Sequence, residues 1–169
     1  MAVQFKVGDK VVYPNHGVGV IEQIMKASTS GVDNKFYQLR ILSNDSTVLV
    51  PTDNTTHVGL RKVLSKKDVD KVFRILRSSK VQITNDWKGR FQENSDKMRT
   101  GDIFEVARVL KNLNYLSKSK NLSYRERKML DKSRYLIVSE IAEVSRVPEE
   151  QIEAKVDKAV AVSLKSSSH

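Results

Sequence analysis

The spacing of apolar positions changes near residue 64, and the two spacings predict two kinds of structure. In residues 35–42, Tyr37, Leu39 and Ile41 alternate with polar side chains, a pattern typical of a strand with one buried face. Short β-branched segments of similar length lie at 10–14, 17–24 and 47–51. Turn-forming residues separate these segments, so the first part of the chain predicts a small, strongly bent antiparallel barrel with a bulge near the glycines of 17–24.

After residue 64, apolar side chains recur every three or four positions, which is the period of a helix. Ser65 with Asp68, and Ser123 with Glu126, have the spacing of capping boxes that begin helices. The clearest apolar stripe consists of Ile103, Val106, Ala107, Leu110 and Leu113. These features predict several amphipathic helices that share one core.

Two further helix starts lie in this region. Thr84 or Asn85 can cap a helix that continues through Met98, because both side chains accept hydrogen bonds from free backbone N–H groups. Pro148, followed by two glutamates, suits the first turn of a last helix, where acidic groups complement the helix dipole.

The fold class predicted from these patterns is α+β. Residues 1–64 form an N-terminal β domain, residues 65–164 form a compact all-helical domain of about five helices, and residues 165–169 form a disordered tail. No internal repeat is present in the sequence.

Basic side chains are concentrated in the middle of the chain. Residues 1–64 carry a net charge of +2, residues 65–134 carry +10, and residues 135–169 carry −2. A localised basic region is typical of proteins that bind polyanions. The alternative is a solvated helix face of mixed charge, which is common.

The side chains that catalysis or metal binding would require do not converge in the sequence. There is no cysteine, so thiolate metal sites and cysteine nucleophiles are excluded. The three histidines are not at metal-ligand spacing. We therefore expect neither enzymatic activity nor a cofactor. No apolar run approaches the ~20 residues that cross a bilayer, so we expect a cytoplasmic protein without membrane contact.

Trp87 is the single tryptophan of the chain, and it allows two interpretations. Trp87, Phe91, Asn94 and Met98 lie on one helical face, and this periodicity favours a tryptophan packed in the core. The second interpretation rests on the position of Trp87 in the first turn of its helix, with Lys88 and Arg90 nearby. A ring surrounded by cations suits insertion at an opened or distorted duplex.

Two further segments are weaker candidates for binding surfaces. The segment 122–134 contains Arg127, Lys128 and Arg134, either as a second contact with nucleic acid or as an ordinary exposed face with Glu126 and Asp131 as ionic partners. In the strand 47–51, the period of two points Leu49 outward if its valine neighbours face the core. An outward leucine on an edge strand is a candidate docking surface.

Several stretches together resemble the CarD/CdnL family of bacterial transcription regulators, whose N-terminal module is shared with transcription-repair coupling factor. Beyond a tryptophan–arginine–phenylalanine motif at 87–91, the matching segments are FKVGDKVVYPNHGVGVI at 5–21, TVLVPTDNTTHVGLRKV at 47–63, TGDIFEVARVLKNL at 100–113 and LSYRERKMLDKSR at 122–134. They follow in order with the spacing of the family.

The resemblance implies a Tudor-like β domain that docks on the β subunit of RNA polymerase, and a helical domain that contacts promoter DNA at the upstream edge of the melted region. Family members stabilise the open promoter complex, often at ribosomal RNA promoters. The DNA contacts implied here are Trp87, Lys88, Arg90, Arg127, Lys128 and Arg134. The polymerase contacts implied here are Lys26, Val48, Leu49 and Pro51.

The expected protein is thus a monomeric regulator of transcription initiation that associates with the nucleoid through RNA polymerase. Two alternatives remain open on the sequence alone. One is a stand-alone architectural DNA-binding protein, in which the β domain is only a spacer. The other is a protein-interaction adaptor in which Trp87 belongs to the core.

Overall fold

The computed structural model describes residues 4–29, 32–81, 86–119 and 121–167. The chain divides into two compact units, Met1–Val63 and Leu64–His169. The first unit is built from strands and the second from helices. The α+β fold class predicted from the sequence is confirmed.

The described strands of the first unit are antiparallel. They are β1 (Lys10–Tyr13), β2 (Gly17–Thr29), β3 (Val32–Ile41), β4 (Thr47–Pro51) and β5 (Arg61–Lys62), with the short helix α1 (Thr55–Val58) before β5. Their order in the sheet is β4-β3-β2-β1-β5. The hairpin strands β2 and β3 are both longer than the sequence predicted, since residues 27–29 and 32–34 continue the pairing.

The pairing of β2 with β3 is irregular where the sequence predicted a bulge. The register of β2 against β3 shifts between Ile21 and Gln23. Close by, a Cβ added at Gly19 would lie 3.1 Å from the carbonyl oxygen of Arg40. A larger residue would therefore push the two strands apart, which explains the glycine at this point of β2.

Alternation along β3 places Tyr37, Leu39 and Ile41 in the interior, as predicted. The core of the first unit consists of Phe5, Val11, Ile21, Tyr37, Leu39, Val50 and Leu60. The backbone N–H of Phe5 donates to the Tyr37 hydroxyl at 3.1 Å, so the one polar atom of this buried ring has a partner.

The barrel expected from the sequence is not closed by the described strands, which form an open sheet with β4 and β5 as its edges. Only Arg61 and Lys62 form β5, and both pair with β1. A two-residue strand offers too few backbone groups to bridge to the opposite edge. The sheet therefore keeps β4 as an edge strand, and this matters for docking.

The described residues of the second unit form five helices, the number predicted. They are α2 (Lys66–Arg77), α3 (Trp87–Arg99), α4 (Ile103–Ser119), α5 (Tyr124–Ser145) and α6 (Glu149–Ser167). Both predicted capping boxes are present: Ser65 with Asp68 begins α2, and Ser123 with Glu126 begins α5. The predicted stripe on α4 is buried throughout.

The helix boundaries correct two expectations. Thr84 and Asn85 lie outside the described residues, and Asp86 is the N-cap of α3. The helix α6 continues to Ser167 and so includes part of the segment expected to be a tail, because no proline or glycine after Pro148 ends it. No described helix is long and apolar enough to cross a membrane.

Candidate functional site

The N-terminal ends of α3 and α5 meet at one buried carboxylate. Asp86 caps α3 by accepting a hydrogen bond from the backbone N–H of Gly89 at 3.2 Å. Ser123 caps α5 by accepting from the backbone N–H of Glu126 at 3.1 Å. Glu126, in the first turn of α5, is only 1% exposed. The positive ends of both helix dipoles favour an anion in this position.

Glu126 joins the two helices through hydrogen bonds from α3. Its Oε1 accepts from Nε1 of Trp87 at 3.0 Å. Its Oε2 accepts from Nε of Arg90 at 2.8 Å, and Nη2 of Arg90 reaches Oε1 at 3.2 Å. The hydroxyl and backbone N–H of Ser123 donate to the same Oε1 at 3.3 and 3.4 Å. The carboxylate is therefore saturated with donors.

These contacts decide the charge of Glu126. Burial alone raises the pKa of this carboxyl group, because it disfavours the ionised form. Hydrogen bonds from Arg90 and Ser123, together with the positive charge of Arg90, outweigh burial and hold the pKa below its ordinary value. Glu126 is thus ionised at neutral pH, and its ion pair with Arg90 is intact.

The same network holds Trp87 at the surface. Trp87 is 38% exposed, so its ring is not fully buried in the core. Phe91 stacks on the indole with ring centroids 5.9 Å apart and planes 15° apart. The guanidinium of Arg125 lies 5.0 Å from the centre of the Phe91 ring. One edge of the indole is fixed by Glu126 and one face is backed by an aromatic ring, while part of the side chain stays accessible.

Exposed cations lie close in sequence to Trp87 and to its partner Glu126. Lys88 follows Trp87 directly, and Arg127 and Lys128 lie on the first turns of α5. Nζ of Lys128 lies 4.7 Å from the centre of the Tyr124 ring, and Tyr124 is itself exposed. Basic groups interleaved with accessible aromatic rings can bind phosphates and stack on bases.

Two arginines among the predicted DNA contacts form ion pairs within the protein. Arg90, whose side chain is 11% exposed, is bound to Glu126. Arg134 pairs with Glu153 at 3.0 Å and with Asp157 at 2.5 Å, both on α6. Both guanidinium groups therefore differ from the side chains of Lys88 and Arg127, which are exposed. DNA contact at these arginines stays a prediction, and their geometry also gives each a role inside the fold.

The predicted docking strand is β4, at one edge of the sheet. Leu49 is 52% exposed, and Val50 is buried. Val48 packs against the core of the first unit. The outward orientation that the period of two predicted for Leu49 is therefore confirmed. Among the described strands β4 pairs with β3 alone, so its other side offers backbone hydrogen-bonding groups.

An apolar row crosses the outer face beside Leu49. Pro51 is in register with Phe36 on β3, and Phe36 is in register with Met25 on β2. Met25 is exposed, as Leu49 is. Lys26 follows Met25 and pairs with Lys35, so strand alternation places it on the opposite face from Pro51. The structure thus brings Leu49 and Pro51 together on one face, but not Lys26.

No metal centre accompanies these surfaces, since the described residues contain no group of three side chains able to hold a metal ion. The arrangement offers cations, aromatic faces and an open strand edge. These groups can bind phosphates, bases and a partner strand.

Comparison with known proteins identifies the family. The model of the CarD-like/TRCF RID domain matches residues 5–64, and the model of the CarD C-terminal domain matches residues 71–157. The Bacillus subtilis (strain 168) protein named "Putative transcription factor YdeB" is 31% identical over 150 residues, which is 89% of this chain and 98% of that protein. This chain belongs to the CarD/CdnL family. The resemblance stated from its sequence is confirmed.

A solved structure of the CarD/CdnL family also matches. It is named "CdnLNt from Myxoccoccus xanthus" and is 41% identical to this chain. The match covers 39% of this chain and 93% of that one, with a TM-score of 0.33. Membership of the CarD/CdnL family supports a role in transcription regulation.

Sequence reasoning missed the centre of this CarD/CdnL site. The predicted capping role of Glu126 is confirmed. The interpretation of segment 122–134 as an ordinary exposed face, one of the two that the sequence leaves open, does not hold at Glu126, because the start of α3 covers it. Stacking of Phe91 on Trp87 was also unforeseen. Trp87 and Phe91 are four positions apart, a spacing at which side chains on a helix meet. This spacing could have suggested the pair. Nothing local links Glu126 to α3.

Proposed function

We propose that this protein docks on the β subunit of RNA polymerase through β4 and stabilises the open promoter complex through the surface around Trp87. The observation that carries the proposal is an accessible indole held by Glu126 and backed by Phe91, with exposed basic side chains at neighbouring positions of α3 and α5. Family membership independently supports the coarser part of this proposal, a role in transcription regulation.

The proposed role of Trp87 is to lie against unstacked bases at the upstream fork of the transcription bubble. Unstacking bases at the fork costs a few kcal/mol per step. Contact between an aromatic ring and a base contributes about 1–3 kcal/mol. Because the Glu126 hydrogen bond and the Phe91 ring already orient the indole, little side-chain entropy is lost on contact. The ring slows reannealing because strand closure must first displace it.

Lys88, Arg127 and Lys128 contribute phosphate contacts in this proposal. Such contacts position a protein on DNA without reading its sequence, so promoter choice comes from the polymerase and from the deformability of the DNA. Arg90 acts chiefly as a positioning residue, since it holds Glu126, which in turn holds Trp87. Arg134 stabilises the packing of α5 on α6.

Leu49 and Pro51 form the polymerase contact, with Val48 supporting β4 from within. An exposed edge strand can accept a strand of a partner by backbone hydrogen bonding, and its outward side chains add specificity. Docking in this way raises the effective concentration of Trp87 at the fork. The helical unit therefore need not bind duplex DNA tightly by itself.

The direct test is the lifetime of open complexes formed by the cognate polymerase on a ribosomal RNA promoter. Adding the protein should lengthen the lifetime, and a shift of 1.4 kcal/mol between closed and open states corresponds to a factor of about ten. An unchanged lifetime, with binding to the polymerase verified, would refute stabilisation of the open complex.

Two alternatives give different results in companion measurements. A stand-alone architectural protein would bind duplex DNA at micromolar or tighter concentration without polymerase, with a steep dependence on salt. An adaptor with a core tryptophan would show a blue-shifted fluorescence that quenchers do not reach. The 38% exposure of Trp87 predicts a quencher-accessible indole instead.

A further inference from the structure

A recess in the helical unit is lined by positive charge. It has a volume of about 280 Å³ and lies between the end of α2, the segment after it, the end of α3 and the middle of α4. The polar side chains that line it belong to Ser78, Lys80, Lys97, Arg108, Lys111 and Asn112. No carboxylate of the described residues lines the recess.

Lys111 is the unusual member of this group. It is only 5% exposed, whereas lysines are almost never fully buried unless they are paired. No carboxylate of the described part of the chain forms an ion pair with it. Burial, and then the positive charge of Arg108, lower the pKa of its ammonium group. A largely buried lysine without an ionic partner among the described residues is costly, so this position favours an anion.

The neighbouring groups complete a set of anion-binding donors. Asn112 is 6% exposed and lies beside Lys111 in the recess. Arg108 is neutralised in part by Glu105 at 2.6 Å, whereas Lys80 and Lys97 have no ion pair with any described residue. Ammonium, amide and hydroxyl donors around a small cavity match the several acceptor oxygens of a phosphate group.

We propose that this recess binds a phosphate-bearing anion, with the Lys111 ammonium as its central contact. Three lysines without an ion pair among the described residues favour a multiply charged group such as a diphosphate. The site is separate from Trp87, because Lys97 lies ten positions further along α3, about 15 Å along the helix axis. The proposal is thus independent of open-complex stabilisation.

The phosphate can come from a small molecule or from the DNA backbone, and two titrations distinguish these sources. The first measures binding of sodium pyrophosphate to the full chain by calorimetry at fixed ionic strength. The second measures binding of a duplex oligonucleotide by fluorescence anisotropy in the same buffer. Each is performed on the unmodified protein, on Lys111→Met, which keeps the apolar stem, and on Lys118→Met. Lys118 is an exposed lysine of α4 outside the recess, so its variant controls for loss of one charge.

For a small-molecule source, Lys111→Met weakens pyrophosphate binding at least tenfold, as expected for loss of a charge-assisted hydrogen bond, while Lys118→Met does not. For a backbone source, the same contrast appears with the duplex and not with pyrophosphate. Equal affinities of both variants for both ligands would overturn the proposal. Lys97→Met repeats the test at the rim if Lys111→Met does not fold.

Discussion

Nε1 of Trp87 donates a hydrogen bond of 3.0 Å to Oε1 of Glu126, across the junction of α3 and α5. The donor belongs to an exposed residue and the acceptor to a buried one. An indole that would otherwise rotate freely at the surface is therefore tied to the interior. This relationship makes Trp87 suited to contact a partner without first being ordered by it.

We expect Trp87→Ala to shorten the open-complex lifetime about tenfold, because the base–aromatic contact of about 1–3 kcal/mol is lost. The measurement is dissociation of preformed complexes on a ribosomal RNA promoter. Tyr135→Ala is the matched control, since Tyr135 lies on α5 and is 39% exposed, close to the 38% of Trp87. Equal lifetimes for the two variants, both folded, would remove Trp87 from the mechanism.

Arg90→Ala should destabilise the helical unit by about 3 kcal/mol, because it leaves the buried Glu126 carboxylate without its ionic partner. Urea unfolding measures the difference. Adding Glu126→Gln to Arg90→Ala should restore part of the loss, since no buried charge remains. Arg134→Ala is the control: its ion pairs with α6 are more exposed and should contribute about 1 kcal/mol or less. Equal losses for both arginines would contradict the buried-pair account.

The stability contributed by Glu126 should depend on pH. Its folded-state pKa is lowered from the ordinary 4.5, so its ionised form stabilises the folded state fully above that value. The contribution is lost as the pH falls below 4.5 and through the folded-state pKa. Urea unfolding of the unmodified protein and of Glu126→Gln from pH 7 to pH 3 checks this. The advantage of the unmodified protein should shrink toward the acid end, and a constant difference would argue against it.

Leu49→Arg should abolish binding to RNA polymerase, because it places a charge in the centre of the apolar docking surface on β4. A pull-down of the cognate polymerase measures this. Val7→Arg is the control, since Val7 is an exposed apolar residue of the same unit but lies outside β4. Retention of full binding by Leu49→Arg would exclude β4 as the contact.

Removing Arg127 and Lys128 together should make the open-complex lifetime less sensitive to salt. Each lost phosphate contact lowers the salt slope by about 1, so the double alanine variant should lose about 2. Arg134→Ala should leave the slope nearly unchanged, because its guanidinium is paired with Asp157 and Glu153. If Arg134→Ala changed the salt slope by about 1, as much per residue as the double variant does, Arg134 would contact the DNA as well.

Much of the fold could be predicted because it depends on neighbours in sequence. The alternation along β3, the stripe on α4 and both capping boxes are local patterns whose period or spacing is imposed by backbone geometry. The outward side of Leu49 follows from the same rule. The resemblance to the family added a set of candidate site residues, and their binding roles stay predictions.

What the sequence determined by itself about this protein is the order and approximate extent of its main strands and helices and which side of each is apolar. Only the tertiary structure decided that Glu126 is buried beneath Trp87, that Arg90 is held by it, and that Lys111 lies in a recess of like charges. These relationships join residues on different helices. The physical reason is that burial and charge compensation depend on which helices pack together. Local spacing of residues in the sequence does not determine that packing.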